Sequence, residues 1–139
     1  LGMAAWFNDQ KLPGFATWMR EQAKEEIEHG MTLYRYIEER GNRVELLPIA
    51  APAKTWDSPL DALEKSLKHE QFVTSRFNKM MDQALAEKDH ATAIFLQWFV
   101  SEQVEEEDMF RTVIDKVSMI KPSCSMMLSR DKHMGKRSE

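Results

Sequence analysis

A single cysteine, Cys124, stands among 139 residues, so no intrachain disulfide can form. That excludes a disulfide-stapled secreted scaffold and fits a reducing compartment, with the cytoplasm as the expectation. No run approaches eighteen uncharged apolar residues, so no membrane span is expected. No amino-terminal segment has the pattern of a signal peptide. Basic excess is missing too: the net charge is −4, and nothing in that balance points to nucleic acid. There is no Gly-rich phosphate loop, no Cys-x-x-Cys and no Ser-His-Asp pattern. No internal repeat or low-complexity stretch is visible.

What is there is an ordinary composition, 42% hydrophobic and 30% charged, sized for one domain spanning residues 1–139. The charge is unevenly spread. Residues 101–108 carry five carboxylates and no base, whereas residues 121–139 carry five Lys or Arg against two acids. A basic tail of that kind reads as a solvated end or a subunit contact. Cys124, after Lys121-Pro122-Ser123, reads as an idle loop thiol.

Hydrophobic periodicity predicts an all-helical chain. The chain opens on Leu1 rather than Met, and residues 1–8 read as the last turns of a helix that begins earlier. Asp9-Gln10-Lys11 is a turn. Pro13 opens a helix over residues 13–40, and Gly41-Asn42 stops it. Residues 43–58 have no helical period and carry Pro48 and Pro52. Sixteen extended residues reach roughly 50 Å, and a 28-residue helix is about 42 Å long. The link can therefore return along the whole preceding helix, which sets that helix parallel to the next one. Ser58-Pro59 starts a helix running to residue 87. The Lys88-Asp89 break is short, so the following helix, capped by Asp89 and ending near Met119, is its antiparallel neighbour. Pro122-Ser123 ends it, residues 125–134 form a short last helix, and residues 135–139 fray.

Within these helices, carboxylates interrupt apolar stripes. Phe15, Met19, Glu26, His29, Leu33 and Ile37 recur at helical spacing, and Glu26 and His29 form a Glu-x-x-His pair on one face. Leu60, Leu63, Leu67, Glu70, Thr74, Phe77 and Met81 alternate threes and fours, with Glu70 where an apolar residue belongs. Phe95, Phe99, Glu102, Glu106, Met109 and Val113 form a third stripe, flanked by Gln103. Burying an unpaired carboxylate costs several kcal/mol. A metal ion is the commonest way to offset that cost for Glu and His together.

Each stripe also has a plain reading. Glu26 and His29 fit an exposed helix edge or a satisfied core His. Glu70 fits a wet helix edge, and Glu102 to Asp108 a solvated acidic run. Three carboxylates at matching depth favour a metal site. His69 points about 100° away from Glu70 and is not a candidate ligand. The four Trp and ten Met residues are mainly packing. Trp98, one turn before Glu102, could also act as an electron source, and Met126 and Met127 could line a subunit axis. Trp6, Phe7, Leu46, Leu47, Ile49 and Trp56 cannot all reach one core, so a partner is expected to cover part of this set, with the link at a two-fold interface.

The segment Trp18-Met19-Arg20-Glu21-Gln22-Ala23-Lys24-Glu25-Glu26-Ile27-Glu28-His29 resembles the second helix of prokaryotic non-haem ferritins. Lys68-His69-Glu70-Gln71 resembles their third. Phe95 to Glu107, reading Phe-Leu-Gln-Trp-Phe-Val-Ser-Glu-Gln-Val-Glu-Glu-Glu, resembles their fourth and is the most specific match. The likeness runs from Ala4 to about Lys132. Gln103-x-x-Glu106 stands where haem-binding bacterioferritins carry a second Glu-x-x-His, so no haem is expected. The resemblance implies a ferritin-like four-helix bundle with one long crossover link, a short carboxyl-terminal helix and a first helix cut short here.

It also implies iron storage with ferroxidase activity, Fe(II) being oxidised by dioxygen or peroxide at a di-iron centre inside each subunit. Glu26 would bridge two irons and His29 would bind the first. Glu70 and Glu106 would bind the second, with Gln103 beside it. Glu25, Glu102 and Glu105 match a third iron position. Ferric mineral would be stored in a hollow homo-oligomer, a twenty-four-subunit cage. The family's first helix supplies a further Glu ligand, on a segment that would lie before Leu1 and is expected to precede this one; that Glu is absent here, as is a family Tyr near the centre. The runner-up reading is a non-catalytic shell subunit impaired by that missing ligand. A DNA-protecting mini-ferritin fits poorly, because those relatives place iron between subunits. A rubrerythrin-like protein would show a second Glu-x-x-His.

Overall fold

The computed structural model describes residues 1–119 and 124–135. They form α1 (Gly2–Asp9), α2 (Pro13–Glu39), α3 (Pro59–Ala86), α4 (His90–Ser118) and α5 (Cys124–Met134), with no strand among the described residues. No described helix is long and apolar enough to cross a membrane. The helix stop expected at Pro122-Ser123, the end at 136–139 and the side chains of Cys124 and Met126 lie outside the described residues. Cys124 opens α5 rather than sitting in a loop. The chain divides between Trp56 and Asp57 into two compact units. The first holds α1, α2, the link and α5; the second holds α3 and α4.

In the first unit, α1 turns into α2 through Lys11, whose φ is 63°. The Lys11 N–H donates to the Asn8 carbonyl at 3.1 Å and the Leu12 N–H to the Phe7 carbonyl at 3.0 Å. This is the paired closure that satisfies the last carbonyls of a helix. The turn folds α1 onto the start of α2, where Phe7 stacks on Phe15 with centroids 5.2 Å apart. At the far end, Gly41 closes α2 in the same way at φ 78°, where glycine escapes the left-handed penalty. The link then has no regular structure, yet it ends with Trp56 edge-on to Trp6 at 5.5 Å. Since Trp6 neighbours the α1–α2 corner, the link has travelled back along α2, about 40 Å for its length. Trp6 and Phe7 are core in this unit, not spare surface for a partner, because the returning link and α2 cover them. Leu46, Leu47 and Ile49 remain exposed.

α5 docks against α2 at a point where only glycine fits. A Cβ on Gly14 would lie 1.6 Å from the Asp131 carbonyl oxygen. The buried Asp131 carboxylate then accepts from the Phe15 N–H at 2.9 Å. It satisfies one of the orphan donors of α2's first turn, across 116 residues of chain.

In the second unit, Ser58 caps α3 by accepting from the Asp61 N–H at 3.0 Å. Asp89 caps α4 through the Thr92 N–H at 3.1 Å and its hydroxyl at 2.7 Å. The helices run antiparallel: Glu70 meets Gln103, and further along α3 Phe77 meets Phe99, earlier on α4. α3 buries Ala62, Leu63, Glu70, Phe77 and Ala84, the last four spaced seven residues apart. α4 buries Leu96, Phe99, Gln103, Glu106, Phe110, Val113 and Val117 in alternating threes and fours. That is the seam of two long helices packed nearly side by side. It corrects the expected stripe. Gln103 lies at its centre, and Glu102 is half-buried at the edge.

Candidate metal centre

The α3–α4 seam buries three of the predicted residues. Glu70 and Glu106 are each 7% exposed and Gln103 4%. The layer beside them is aromatic: Phe77 stacks on Phe99 at 4.8 Å, and Trp98 meets Phe99 edge-on at 4.8 Å. Trp98 itself is exposed on its outer side. Such walls lower the local polarity, so charge held there interacts more strongly than in water. Gln103 Nε2 donates towards the Glu70 carbonyl (3.2 Å), Glu70 Oε2 (3.3 Å) and Thr74 Oγ1 (3.4 Å). Thr74 Oγ1 lies 2.7 Å from Glu107 Oε1 and 3.0 Å from the Glu70 carbonyl. Glu107 is in turn paired with Arg111. Glu106 follows Gln103 by three residues and shares its face.

α2 carries the other predicted residues, and their setting is different. His29 Nδ1 lies 3.9 Å from Glu26 Oε2, an ion-pair distance rather than a hydrogen bond. The His29 side chain is 17% exposed and that of Glu26 52%. The expected burial of Glu26 is therefore corrected. α2 buries only Gly14, Phe15, Ala16, Trp18 and Met19, at the end where α1 and α5 pack. Beyond Met19 the stripe continues as partly covered side chains such as His29 and Leu33. The cost of burying a carboxylate, which made Glu26 stand out as sequence, does not arise there. Glu25 and Glu105 are exposed and Glu102 is half-buried. His69 is exposed, away from Glu70, with its ring 6.4 Å from Phe72.

Among the described residues, no three His, Cys, Asp or Glu side chains converge as a metal-holding group. The predicted ligands are divided: Glu26 and His29 belong to the first unit, and Glu70, Gln103 and Glu106 to the second. As a donor set they are hard carboxylates, an amide oxygen and one imidazole, which suits iron in both oxidation states. Sequence reasoning missed the Thr74–Glu107–Arg111 chain beside this set. Its signal was local: Thr74 lies four residues after Glu70, and Arg111 four after Glu107.

Three comparisons bear on this geometry. The family profile described as "Ferritin-like domain" matches residues 1–120. The bacterial non-heme ferritin of Staphylococcus haemolyticus (strain JCSC1435) is 41% identical over 138 residues, covering 99% of this chain and 83% of that one. That of Campylobacter jejuni is 39% identical over 120 residues, covering 86% of this chain and 72% of the relative. Among solved structures, a novel open pore ferritin from the hyperthermophilic archaeon Archaeoglobus fulgidus superposes with a TM-score of 0.96 at 41% identity. The match covers 97% of this chain and 83% of that one.

Proposed function

The chain belongs to the ferritin family and has its all-helical fold, and from that footing we propose that it stores iron and oxidises Fe(II) in doing so. The observation that carries the reading is the buried Glu70–Gln103–Glu106 set, placed where an apolar seam is otherwise unbroken. Glu70 and Glu106 offer carboxylate oxygens already stripped of water, and Gln103 an amide oxygen beside them. Glu26 and His29 bring a bridging carboxylate and an imidazole from α2. Glu25, Glu102 and Glu105, wetter in every case, form the third position. Iron is the substrate and the cargo. Two Fe(II) ions release one electron each. Dioxygen takes both, with two protons, and leaves as hydrogen peroxide. Where peroxide is the oxidant, the same two electrons and two protons split its O–O bond into two waters. Taking the electrons in pairs avoids one-electron oxygen products.

Mineral storage requires an enclosed volume, so the reading includes a closed homo-oligomer, a twenty-four-subunit cage in the cytoplasm. The exposed Leu46, Leu47 and Ile49 support an interface along the link. The reading takes the chain as one ferritin-like domain. A second reading, a shell subunit that oxidises iron poorly, draws on the exposure of Glu26.

Adding Fe(II) under air and following ferric absorbance separates the two. The wild type should show a fast initial phase that Glu26→Ala, His29→Ala, Glu70→Ala and Glu106→Ala each abolish. Glu102→Ala should change later turnover more than the first phase. No fast phase in the wild type favours the shell subunit. Elution near the 16.2 kDa chain mass would sink storage itself.

A further inference from the structure

Gln103 can serve a cation only through its amide oxygen, and a carboxamide has two ends. Which end faces the donors of the centre is decided by what its other end meets. The Gln103 amide has three oxygens around its inner end. The Glu70 carbonyl can only accept. An ionised Glu70 carboxylate can only accept. Thr74 Oγ1 is the one group there able to donate, and it has a single proton. That proton has two other acceptors, Glu107 Oε1 at 2.7 Å and the Glu70 carbonyl at 3.0 Å. The shorter of these ends on a carboxylate, and charge-assisted bonds are roughly twice as strong as neutral ones. Arg111, paired with Glu107, holds that carboxylate in place.

We infer that Thr74, oriented by the Arg111-paired Glu107, is a positioning residue that sets the direction of the Gln103 amide, turning its NH2 inwards and leaving Oε1 for the metal. Once the Thr74 proton is committed to Glu107, its lone pairs accept from Gln103 Nε2 at 3.4 Å. All three oxygens around that end of the amide are then acceptors, so Nε2 must occupy it. Each link fixes the next, from guanidinium to carboxylate to hydroxyl to amide. The reversed amide would put two N–H donors where a cation is to bind. The three Gln103 contacts, 3.2 to 3.4 Å, lie at or beyond the long end of N–H···O bonds. None holds the amide alone, so losing one acceptor matters. Neither Thr74 nor Glu107 needs to touch iron.

This inference rests on the iron-binding reading, and the test separates the two. Intact wild-type protein, Thr74→Val and Thr74→Ser are titrated with Co(II) without oxygen, following the visible d–d absorption. Aerobic Fe(II) oxidation and thermal unfolding are measured beside it. Val keeps the shape of Thr and removes the hydroxyl; Ser keeps the hydroxyl. The expected result is a Co(II) affinity lowered about tenfold, with an altered band shape, in Thr74→Val, and recovery of both in Thr74→Ser. A lowered affinity is worth about 1.4 kcal/mol per tenfold change. A Thr74→Val protein with wild-type affinity and spectrum overturns the inference and leaves the iron reading standing. So does a Thr74→Ser protein that fails like Thr74→Val while both unfold early, since Thr74 then acts only through packing. A wild type that neither binds Co(II) nor oxidises Fe(II) overturns the reading and the inference together.

Discussion

The two groups of candidate ligands are prepared in opposite ways. On α3 and α4, Glu70, Gln103 and Glu106 are buried, and the Gln103 amide is tied to Glu70 and Thr74. On α2, Glu26 and His29 lie on a largely wet face and are held together only loosely. The first group pays its desolvation when the chain folds. In the second, Glu26 keeps much of its solvation, and ordering it costs rotamer freedom when something binds. Folding stability and metal binding should therefore respond differently to changes in each group.

The largest expected effect breaks the prepared half. Phe99 is 2% exposed, stacked on Phe77 and met by Trp98 and Phe95. Phe99→Ala should cost about 3–5 kcal/mol by urea unfolding, from lost burial plus the cavity left behind. On α2 beside Glu26, Ile27 is exposed. Ile27→Ala should change stability by under about 0.5 kcal/mol. If Ile27→Ala costs as much as Phe99→Ala, the second half of α2 is covered in the protein in solution, and the contrast between the halves fails.

A subtler cut removes ligands rather than packing. In metal-free protein, Glu106→Leu should leave stability unchanged or raise it slightly, because Leu fills the buried position without the cost of desolvating a carboxylate. Glu26→Leu, on the wetter face, should move it by under about 0.5 kcal/mol. Both variants should lose fast Fe(II) oxidation. Loss of stability in Glu106→Leu would mean that its carboxylate holds the seam together even without metal.

The difference between the halves also explains what was legible in the sequence. Helix ends were readable because their causes are local: Ser58 and Asp89 as caps, Gly41 as a stop. The returning link was readable from its length and missing period. The phase of the α4 stripe was not. The expected track and the observed one share Phe99, Glu106 and Val113 and differ by one residue between, so alternating threes and fours fit both. Preferring Glu102 over Gln103 followed charge, whereas the packing selects Gln103. The face of α2 was misread because its cover comes from α1 and α5, and the Gly14–Asp131 approach that docks α5 joins residues far apart in sequence. The candidate ligands on α3 and α4 were visible as polar breaks in an apolar seam. Glu26 and His29 were read as polar breaks in the same way, but the structure leaves Glu26 exposed.

A smaller effect compares the units through the same backbone feature. Lys11 in one and Lys88 in the other both sit at positive φ, 63° and 56°, closing a helix where glycine is preferred. A side chain there costs about 1–2 kcal/mol, and glycine's extra chain entropy takes back about 0.5–1 kcal/mol. Lys11→Gly and Lys88→Gly should therefore each stabilise by roughly 0.5–1 kcal/mol. If the two units unfold in separate steps, each substitution should move only its own step. A common shift in one transition would show that they unfold together.

The smallest expected effect is a pH dependence confined to the start of α3. The Lys65 ammonium, 2.8 Å from Asp61 Oδ2, and the Asp57 N–H that donates to the same oxygen hold the Asp61 carboxyl below its ordinary value. The same contact raises Lys65. A carboxyl whose pKa is lower in the folded state stabilises the fold above its unfolded value, near 3.8, and loses that contribution as pH falls through the folded value. The raised Lys65 does the reverse at the alkaline end: its contribution is present below the unfolded value of 10.5 and fades as pH rises past the folded one. The pair is solvent-exposed, so salt should weaken it. Between pH 5 and 3, Asp61→Asn should lose slightly less stability than the wild type, and the gap should shrink in 1 M salt. Every other group is common to both proteins and cancels in that comparison. A gap that survives high salt would assign the effect to the Asp57 N–H bond rather than to Lys65, and Lys65→Met would then leave the acid limb of the wild-type curve unchanged.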